Sequence, residues 1–362
     1  MRLDPLTRIL DHPGPFASAL LDVSRTTEDA RRLVLRGRAA RTELAASGAP
    51  DDLAEEVVER LLEPTGTPGE TARYVVAGRD GVVVDEPLPG WAGHEVLTWG
   101  PLPDTTAWLA YQECAVPVLV VLADHVGADL HHSTAWGRTP STVHTVDGST
   151  ENLSKVPDGG MARADLQSRT DELWRFNARA VVAELERLAG SEPPLIVLAG
   201  DPRARHDVRS GLPAHVAEQV VEVERGSRAD GAVNEAFVAE VDAAVRRTVD
   251  ERRRRAAERL EERLGRRYAV AVGLADVLDM TVQAGVDTVV LDEERAAGRT
   301  VRPADHPYLP LPDGVLAAPA VRSDLLVLAA AAATGAGAVL TAPPLLPDDG
   351  VAALLRWDRP DG

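Results

Sequence analysis

The feature that most constrains the fold of this chain is a helical apolar repeat in its second half. Between about residue 232 and residue 264, apolar side chains recur at spacings of three and four: Val233, Phe237, Val241, Ala244, Val245, Val249, Ala256, Leu260 and Leu264. This period predicts one long amphipathic helix. We expect it to connect the second domain of the chain to the third.

The chain has 362 residues, enough for two or three domains that each bury a core. We predict an N-terminal α/β domain over 1–112, a middle domain over 113–248 and a C-terminal domain over 249–362. The predicted fold class is α/β (α+β), built from three small α/β domains. No repeat of fixed period is present in the sequence.

The first domain contains a strand-like segment at 16–24, followed by charged amphipathic stretches at 26–47 and 51–63 that predict helices. Two β-rich runs then flank Arg79-Asp80-Gly81. Asp-Gly is a strong turn signal, so a hairpin is expected here.

The middle domain begins with predicted strands at 116–123, 128–136 and 141–147. A helical stripe then runs through Leu166, Thr170, Leu173, Trp174, Asn177, Val181, Leu185 and Leu188, and "PPLIVLAG" after it predicts a buried strand. Asp201-Pro202 is typical of a helix start, with Asp as N-cap and Pro in the first turn.

The last domain alternates "YAVAVG", "LADVLDMTVQAG", "VDTVVLD", a Pro-rich crossing, "VRSDLLVLAAAAATG", "AGAVLTA" and "GVAALLRW". This strand–helix rhythm predicts a mostly parallel sheet covered by helices.

The most distinctive loop candidate is "LSKVPDGGM", which precedes the middle-domain helix. It contains the only lysine of the chain, Lys155, and the turn-forming run Asp158-Gly159-Gly160. Adjacent glycines leave backbone N–H groups uncovered and allow close approach to an ester or phosphate. The competing interpretation is a simple turn before a helix.

Metal and cofactor chemistry receives little support. His125, Asp129, His131, His132 and His144 are close in sequence, but adjacent strand residues point to opposite faces, which favours a polar hairpin. "TGAGA" follows a helix and lacks a phosphate-loop motif, and no G-x-S-x-G or H-E-x-x-H occurs. The single cysteine, Cys114, is interpreted as a small buried apolar residue. No metal and no cofactor are expected.

Charge bears on possible partners. The net charge of −18 argues against non-specific nucleic-acid binding, and we expect no DNA partner. Locally, Arg252, Arg253, Arg254 and Arg255 form a basic run with Glu251 and Glu258 beside it. Such a run is either a solvated helix face with ion pairs or an RNA contact.

No apolar run of about 18 residues occurs, so a membrane span is not expected. The first residues lack the apolar core of an export signal, and the expected location is the cytoplasm.

Four stretches, in order over roughly 115–357, resemble the archaeal and eukaryotic peptide-chain release factor and Pelota superfamily in its bacterial branch. The layout of "PDGGMARADLQSR" is similar to the Gly-Gly-Gln loop and helix of release factors. Further similarity lies in "LIVLAGDPRARHDVRSGLP", in "VVEVERGSRADGAVNEAFVAEV", and in "GLADVLDMTVQAGVDTVVLDEE" with "DDGVAALLRW". The resemblance implies a release-factor-type middle domain and a C-terminal domain of the kink-turn-binding ribosomal-protein fold.

The chain departs from the family pattern at two places. Met161 stands where the glutamine after the two glycines would be, and its thioether cannot donate a hydrogen bond. Gln167, six residues later, is a poor substitute. The first domain contains nothing like the Asn-Ile-Lys-Ser loop that recognises stop codons. We therefore expect no catalytic residue, and enzyme activity is not the favoured interpretation.

The resemblance then implies a ribosome-associated factor similar to the Balon-like hibernation factors and their actinobacterial relatives. Such a protein occupies the A site without release chemistry and can associate with the elongation-factor GTPase that delivers aminoacyl-tRNA. On this interpretation the contacting loop comprises Lys155, Asp158, Gly159, Gly160, Met161, Arg163 and Gln167, and the Arg252–Arg255 run contacts ribosomal RNA. Two alternatives stay open: a peptidyl-tRNA hydrolase or rescue factor, and a non-ribosomal interaction module on the same fold.

Overall fold

A computed structural model describes residues 1–24, 29–66, 71–89, 94–114, 116–133, 142–148, 163–190, 194–228, 234–312 and 314–358. Within these ranges the chain forms two compact units: residues 1–113 with 251–362, and residues 114–250. None of the helices described is both long and apolar enough to cross a membrane.

The first part of the chain holds four helices and four strands. In order they are α1 (Asp4–Leu10), β1 (Phe16–Asp22), α2 (Asp29–Ala46), α3 (Asp51–Leu62), β2 (Thr71–Gly78), β3 (Gly81–Pro89), β4 (Val96–Gly100) and α4 (Thr106–Cys114). The strands form a sheet of order β3-β2-β1-β4, and the pairs β1–β2, β2–β3 and β1–β4 are antiparallel. The predicted strand, two helices and Arg79-Asp80 hairpin are confirmed, whereas α1, β4 and α4 were not anticipated.

The middle part follows with β5 (Val118–Ala123), β6 (Gly127–Ser133), β7 (Thr142–Asp147), α5 (Arg163–Ala189), β8 (Leu195–Gly200), α6 (Pro202–Gly211), α7 (Ala214–Ala217), β9 (Val220–Glu222) and α8 (Glu235–Arg266). Its five-stranded sheet has the order β7-β6-β5-β8-β9, in which β5, β8 and β9 are parallel. The predicted strands, the helix from Arg163 and the long helix are confirmed.

The sheet of the middle unit is covered on both faces, as the alternation along β5 shows. Leu119, Val121 and Ala123 pack in one cluster with residues of α5 and α6. Val118, Val120 and Leu122 pack in a second cluster with the first half of α8, which supplies Phe237, Val241, Ala244, Val245 and Val249. Successive strand residues point to opposite faces, so one apolar run feeds both layers.

The last part contains β10 (Val270–Val272), α9 (Leu274–Val282), β11 (Val286–Leu291), α10 (Glu293–Ala297), β12 (Thr300–Val301), β13 (Val321–Arg322), α11 (Ser323–Ala333), β14 (Gly337–Leu340) and β15 (Val351–Leu355). Two short 3-10 turns, Pro303–Asp305 and Val315–Ala317, lie in the Pro-rich crossing. As predicted, "TGAGA" joins a helix to a strand.

The prediction of a mostly parallel sheet in the last part was wrong. Its sheet has the order β10-β15-β11-β14, in which β15 is antiparallel to both β10 and β11, and only β11 and β14 are parallel. The alternation of strands and helices does not predict this order, because the closing strand β15 follows a loop, with no crossover helix before it, and is inserted between β10 and β11. A strand inserted after a reversal runs against its neighbours.

Residues 1–113 and 251–358 share a core within their unit. One cluster contains Leu6, Tyr74 and Leu109 together with Val289 and Leu328. Arg322 also bridges Asp104 at 2.6 Å and Asp324 at 2.5 Å. The sheets of the two segments are separate. The division into three domains at 112 and 248 stays a prediction.

Candidate functional site

The Gly-Gly loop is flanked by two elements that meet at one edge of the middle sheet. Strand β7 ends at Asp147, and the next residue, Gly148, donates its backbone N–H to the Val126 carbonyl at 2.7 Å. Helix α5 crosses the same edge, where the Asn177 amide donates to the His125 carbonyl at 2.9 Å. This is the carboxyl edge of parallel strands β5 and β8, the place where open α/β sheets bind their ligands.

Three glycines allow the chain segments at this edge to come close. A Cβ at Gly127 would overlap the Val146 carbonyl oxygen, and one at Gly148 would overlap the Asn177 side chain. Gly200, with φ of +111°, lies against the Ala123 carbonyl in the same way. Larger residues would push the segments apart, so the glycines set the spacing of the edge.

An aromatic stack holds α5 on this edge. The rings of His125 and Trp174 lie 3.8 Å apart between centroids, at an interplanar angle of 12°. The Arg203 guanidinium lies 4.7 Å from the Trp174 ring centroid and forms a 2.7 Å ion pair with Asp171, which is also on α5. Stacking and a cation on the ring each add to the apolar contact.

The residue after β5 and the residue after β8 each contribute an acidic side chain to the edge. The Asp201 carboxylate accepts hydrogen bonds from the backbone N–H groups of Arg203 and Ala204, which confirms the predicted helix start. Its other oxygen lies 3.4 Å from His125 Nε2. Asp124, after β5, accepts from the Val126 and Gly127 backbones at 2.8 and 2.9 Å. These contacts fix the turns on which His125 and α6 are built.

Arg228 connects the end of β7 to the same edge. It lies 3.1 Å from Asp124, 3.2 Å from Asp129 and 3.5 Å from Asp147, the last residue of β7. Burial alone would lower the pKa of Arg228, but hydrogen bonds to Asp129 and Asp124 outweigh it and raise the pKa. Arg228 therefore stays charged and holds three carboxylates together.

The predicted loop residues are placed only in part. Lys155, Asp158, Gly159, Gly160 and Met161 lie outside the described residues. Arg163 and Gln167 belong to α5, and their side chains are outside the described part as well. The same holds for the side chain of Cys114. What the structure describes is the framework from which the loop starts and to which it returns.

Three arginines of the basic run at 252–255 form ion pairs. Arg253 contacts Glu113 at 2.7 Å, and the Glu113 side chain is only 6% exposed. Arg254 pairs with Glu251 at 2.7 Å and with Glu258, and Arg255 pairs with Glu251 at 2.7 Å. The hydrogen bonds from these two arginines lower the pKa of Glu251. At Arg254 and Arg255 the ion pairs are those of a solvated helix face; Arg252 is exposed.

The histidines singled out in the sequence do not converge on one site. His131 is paired with Val120 and His132 with Leu119 across β6 and β5, so their side chains point to opposite faces. His144 Nε2 lies 3.2 Å from Glu184. Within the part of the chain that is described, no three His, Cys, Asp or Glu side chains are grouped as metal ligands.

Trp174, Arg203 and Arg228 were not identified from the sequence as residues of this edge. Trp174 was counted only as part of a helical apolar stripe, and the two arginines gave no periodic signal. The one usable signal was the pattern of a buried strand followed at once by Asp, seen at Asp124 and Asp201.

Comparison with known proteins places the chain in a family. Residues 117–266 match the family described as bacterial archaeo-eukaryotic release factor family 2. Two uncharacterized proteins of Mycobacterium tuberculosis, from strains CDC 1551 and H37Rv, are each 30% identical over 99% of this chain and 97% of their own length. The chain belongs to the bacterial archaeo-eukaryotic release factor family.

Among solved structures, Archaeoglobus fulgidus Pelota matches with a TM-score of 0.36 and 17% identity, covering 79% of this chain and 80% of its own. S. cerevisiae Dom34, a translation termination-like factor, matches with a TM-score of 0.43 and 10% identity, covering 80% of this chain and 82% of its own.

Proposed function

We propose that this protein is a ribosome-associated translation factor that occupies the A site without reading a stop codon or releasing the peptide. Its role on this proposal is hibernation or protection of idle ribosomes. The observation that carries the proposal is Met161, which follows Gly159-Gly160 at the position where the resemblance to release factors implies glutamine. The Gly-Gly segment precedes α5 in the sequence, as in release factors, but it lacks the polar side chain that hydrolysis of the peptidyl-tRNA ester needs.

The chemistry of the loop supports binding over hydrolysis. Hydrolysis of the peptidyl-tRNA ester needs water oriented by hydrogen-bond donors and acceptors at the reacting carbonyl. A methionine thioether donates no hydrogen bond and accepts only weakly. Lys155 and Arg163 supply positive charge on either side of the glycines, which suits contact with a tRNA end or ribosomal RNA phosphates.

The described part of α5 suits a helix that carries a contacting segment. Helix α5 runs from Arg163 to Ala189, and Asn177 marks where it crosses the carboxyl edge of the sheet. At 1.5 Å per residue, the stretch from Arg163 to Asn177 is about 21 Å long. The His125–Trp174 stack and the Arg203–Asp171 ion pair hold this stretch where it leaves the sheet. A loop carried on such a support can enter a narrow site while its base stays fixed.

The proposed partners are the ribosomal RNA of the A site and, in delivery, the elongation-factor GTPase that carries aminoacyl-tRNA. Contacts to folded RNA depend on shape and phosphates, so a few basic residues suffice even in a chain of net charge −18. Arg252, which is exposed, is the member of the basic run best placed to add a contact.

Co-sedimentation tests the proposal. The full-length protein is mixed with 70S ribosomes from starved cells and centrifuged at low and at high salt. We expect the protein to pellet with ribosomes at low salt and to dissociate as the salt concentration rises. Contacts to RNA phosphates displace bound counterions, and this gain in free energy becomes smaller at high salt. Protein that stays in the supernatant at low salt would remove the ribosomal proposal and favour the non-ribosomal interaction module.

An active hydrolase is the second candidate, and the Gly159-Gly160 pair favours it, since backbone N–H groups alone can position water. Peptide release from ribosomes carrying peptidyl-tRNA decides between the two. Our proposal predicts release at background level for the wild type and for Gly160→Val alike. Release by the wild type that Gly160→Val abolishes would establish the hydrolase instead.

A further inference from the structure

The outer surface of α5 carries a cationic and aromatic strip. Arg175 and Arg179 are exposed and lie one helical turn apart, and Phe176 between them is 59% exposed. Neither arginine has a carboxylate within 4.0 Å among the described side chains. Six other arginines of the middle unit form ion pairs with carboxylates: Arg187, Arg203, Arg205, Arg209, Arg225 and Arg228. Arg246 and Arg247 on α8 are exposed like Arg175 and Arg179, but they have no exposed aromatic residue beside them in the sequence. Arg175 and Arg179 thus form no ion pair with any described side chain.

This arrangement does not stabilise the helix. Two like charges at i and i+4 repel by a few tenths of a kcal/mol, and an exposed Phe has no apolar contact to gain in the free protein. Carboxylates that could pair with these arginines are abundant in a chain of net charge −18. The strip therefore suits a partner that supplies negative charge and a flat ring.

A groove beside the strip adds hydrogen-bond acceptors. It has a volume of about 260 Å³ and runs between α5 and α6. Its lining residues are Arg175, Ala178, Arg179, Val182, Asp207, Ser210 and Gly211. Helix α6 ends at Gly211; the Arg209 carbonyl accepts from the Leu212 N–H at 3.3 Å, and the remaining carbonyls of the last turn have no partner within the helix. The groove has donors on its α5 wall and acceptors on its α6 wall, where Asp207 adds a carboxylate.

From this pattern we infer that the α5–α6 groove binds the ribose–phosphate backbone of RNA. The phosphates accept hydrogen bonds from Arg175 and Arg179, and ribose 2′-hydroxyl groups donate to the acceptors at the end of α6. An unstacked base lies on Phe176. RNA combines phosphate charge, a 2′-hydroxyl donor and a flat base; an acidic peptide has no ribose hydroxyl or base, and DNA lacks the 2′-hydroxyl donor. The inference rests on the proposed function, since the ribosome supplies the RNA.

Binding of the full-length protein to deproteinised ribosomal RNA tests this surface. The variant Arg175→Gln/Arg179→Gln is compared with Arg246→Gln/Arg247→Gln, which removes the same charge from two exposed arginines on α8. We expect the first variant to bind at least about tenfold more weakly and the second to bind like the wild type. The plot of log K against log salt concentration has a negative slope. Losing two phosphate contacts should make that slope less steep by about 1.4 on single-stranded RNA. Equal binding by the two variants, or no binding by the wild type, overturns the inference.

Two further comparisons separate RNA recognition from charge alone. Phe176→Ala should weaken binding to the RNA while Phe176→Tyr retains it, because the ring is what stacks. DNA of the same sequence should bind more weakly than the RNA, and equal binding of both would contradict the role of the 2′-hydroxyl. Co-sedimentation of the wild-type protein with 70S ribosomes tests the proposed function independently of this groove. If the wild type pellets and the α5 variant binds RNA unchanged, only the groove assignment fails.

Discussion

The imidazole of His125 stacks on the indole of Trp174 with ring centroids 3.8 Å apart, which joins the turn after β5 to the middle of α5. The turn and the helix are about fifty residues apart in sequence, and the Gly-Gly loop lies between them. Asn177, one turn further along α5, donates to the His125 carbonyl at 2.9 Å. Both contacts bind the same turn, so the orientation of α5 at the sheet edge depends on them.

Replacing Trp174 with Ala should lower the free energy of unfolding of the middle unit by about 2 kcal/mol. The substitution removes the stacking partner of His125 and the ring under Arg203, and Trp174 is half-buried. Urea unfolding followed by circular dichroism measures the change. The control is Phe176→Ala on the same helix, which is exposed and should change the value by less than about 0.5 kcal/mol. Equal effects of the two variants would show that the stack does not support α5.

Replacing Gly200 with Ala should destabilise the protein by about 3 kcal/mol or more, or prevent folding. Its φ of +111° disfavours an L side chain, and the added Cβ would overlap the Ala123 carbonyl. Gly265→Ala is the matched control, because Gly265 lies within α8 with open space around it. That change should stabilise the protein by about 0.5–1 kcal/mol. If Gly200→Ala is tolerated as well as the control, the close crossing at the edge is not required.

Replacing Arg253 with Gln should cost about 3 kcal/mol of folding free energy. The change leaves the Glu113 carboxylate, 6% exposed, without its ion-pair partner. Arg254→Gln removes the same charge from an exposed side chain, and we expect no measurable change in stability. Thermal and urea unfolding of both variants provide the comparison. Similar stability of the two variants would show that the Arg253–Glu113 ion pair does not stabilise the fold, and Arg253 would then be a candidate for RNA contact.

Acid should remove a stabilising contribution from Asp22. Partial burial raises the pKa of this carboxyl, but hydrogen bonds from Ser24 and the ion pair with Arg36 at 3.0 Å outweigh it, so the pKa lies below its ordinary value of 3.8. A lowered pKa in the folded state means that stability is present above pH 3.8 and is lost as the pH falls through the folded value. Asp22→Asn should therefore be less stable than the wild type at pH 6, by up to about 1 kcal/mol.

The difference between Asp22→Asn and the wild type should shrink as the pH is lowered to 3 and below, where the unfolded carboxyl is protonated. Urea unfolding at each pH measures it. Asp80→Asn, in the exposed β2–β3 turn, is the control and should differ little from the wild type throughout. A constant difference for Asp22→Asn across this pH range would contradict the assigned contacts.

Periodicity predicted the elements better than their arrangement. The stripe from Val233 to Leu264 marked α8 to within about two residues at each end, because one helix face must be apolar along its whole length. Strand direction carries no such local signal. The same apolar run serves a parallel or an antiparallel neighbour, so the placement of β15 between β10 and β11 could not be predicted from its composition.

The candidate site shows the same limit. The turn chemistry of Asp201-Pro202 is local and was predicted. The contacts of Trp174, Arg203 and Arg228 join residues far apart in sequence, and nothing in their own neighbourhoods indicates the partner. Likewise, the sequence left the basic run at 252–255 open between an ion-paired helix face and an RNA contact. The ion-pair partner of Arg253 is Glu113, 140 residues away, which no local pattern indicates.

Cryo-electron microscopy of ribosomes from stationary-phase cells, prepared with this protein bound, tests the central claim most directly. Our proposal predicts density for the protein in the A site, with Gly159, Gly160 and Met161 directed at the peptidyl-transferase centre and no cleaved product beside it. Ribosomes with an empty A site, or with this protein bound elsewhere, would contradict the proposal.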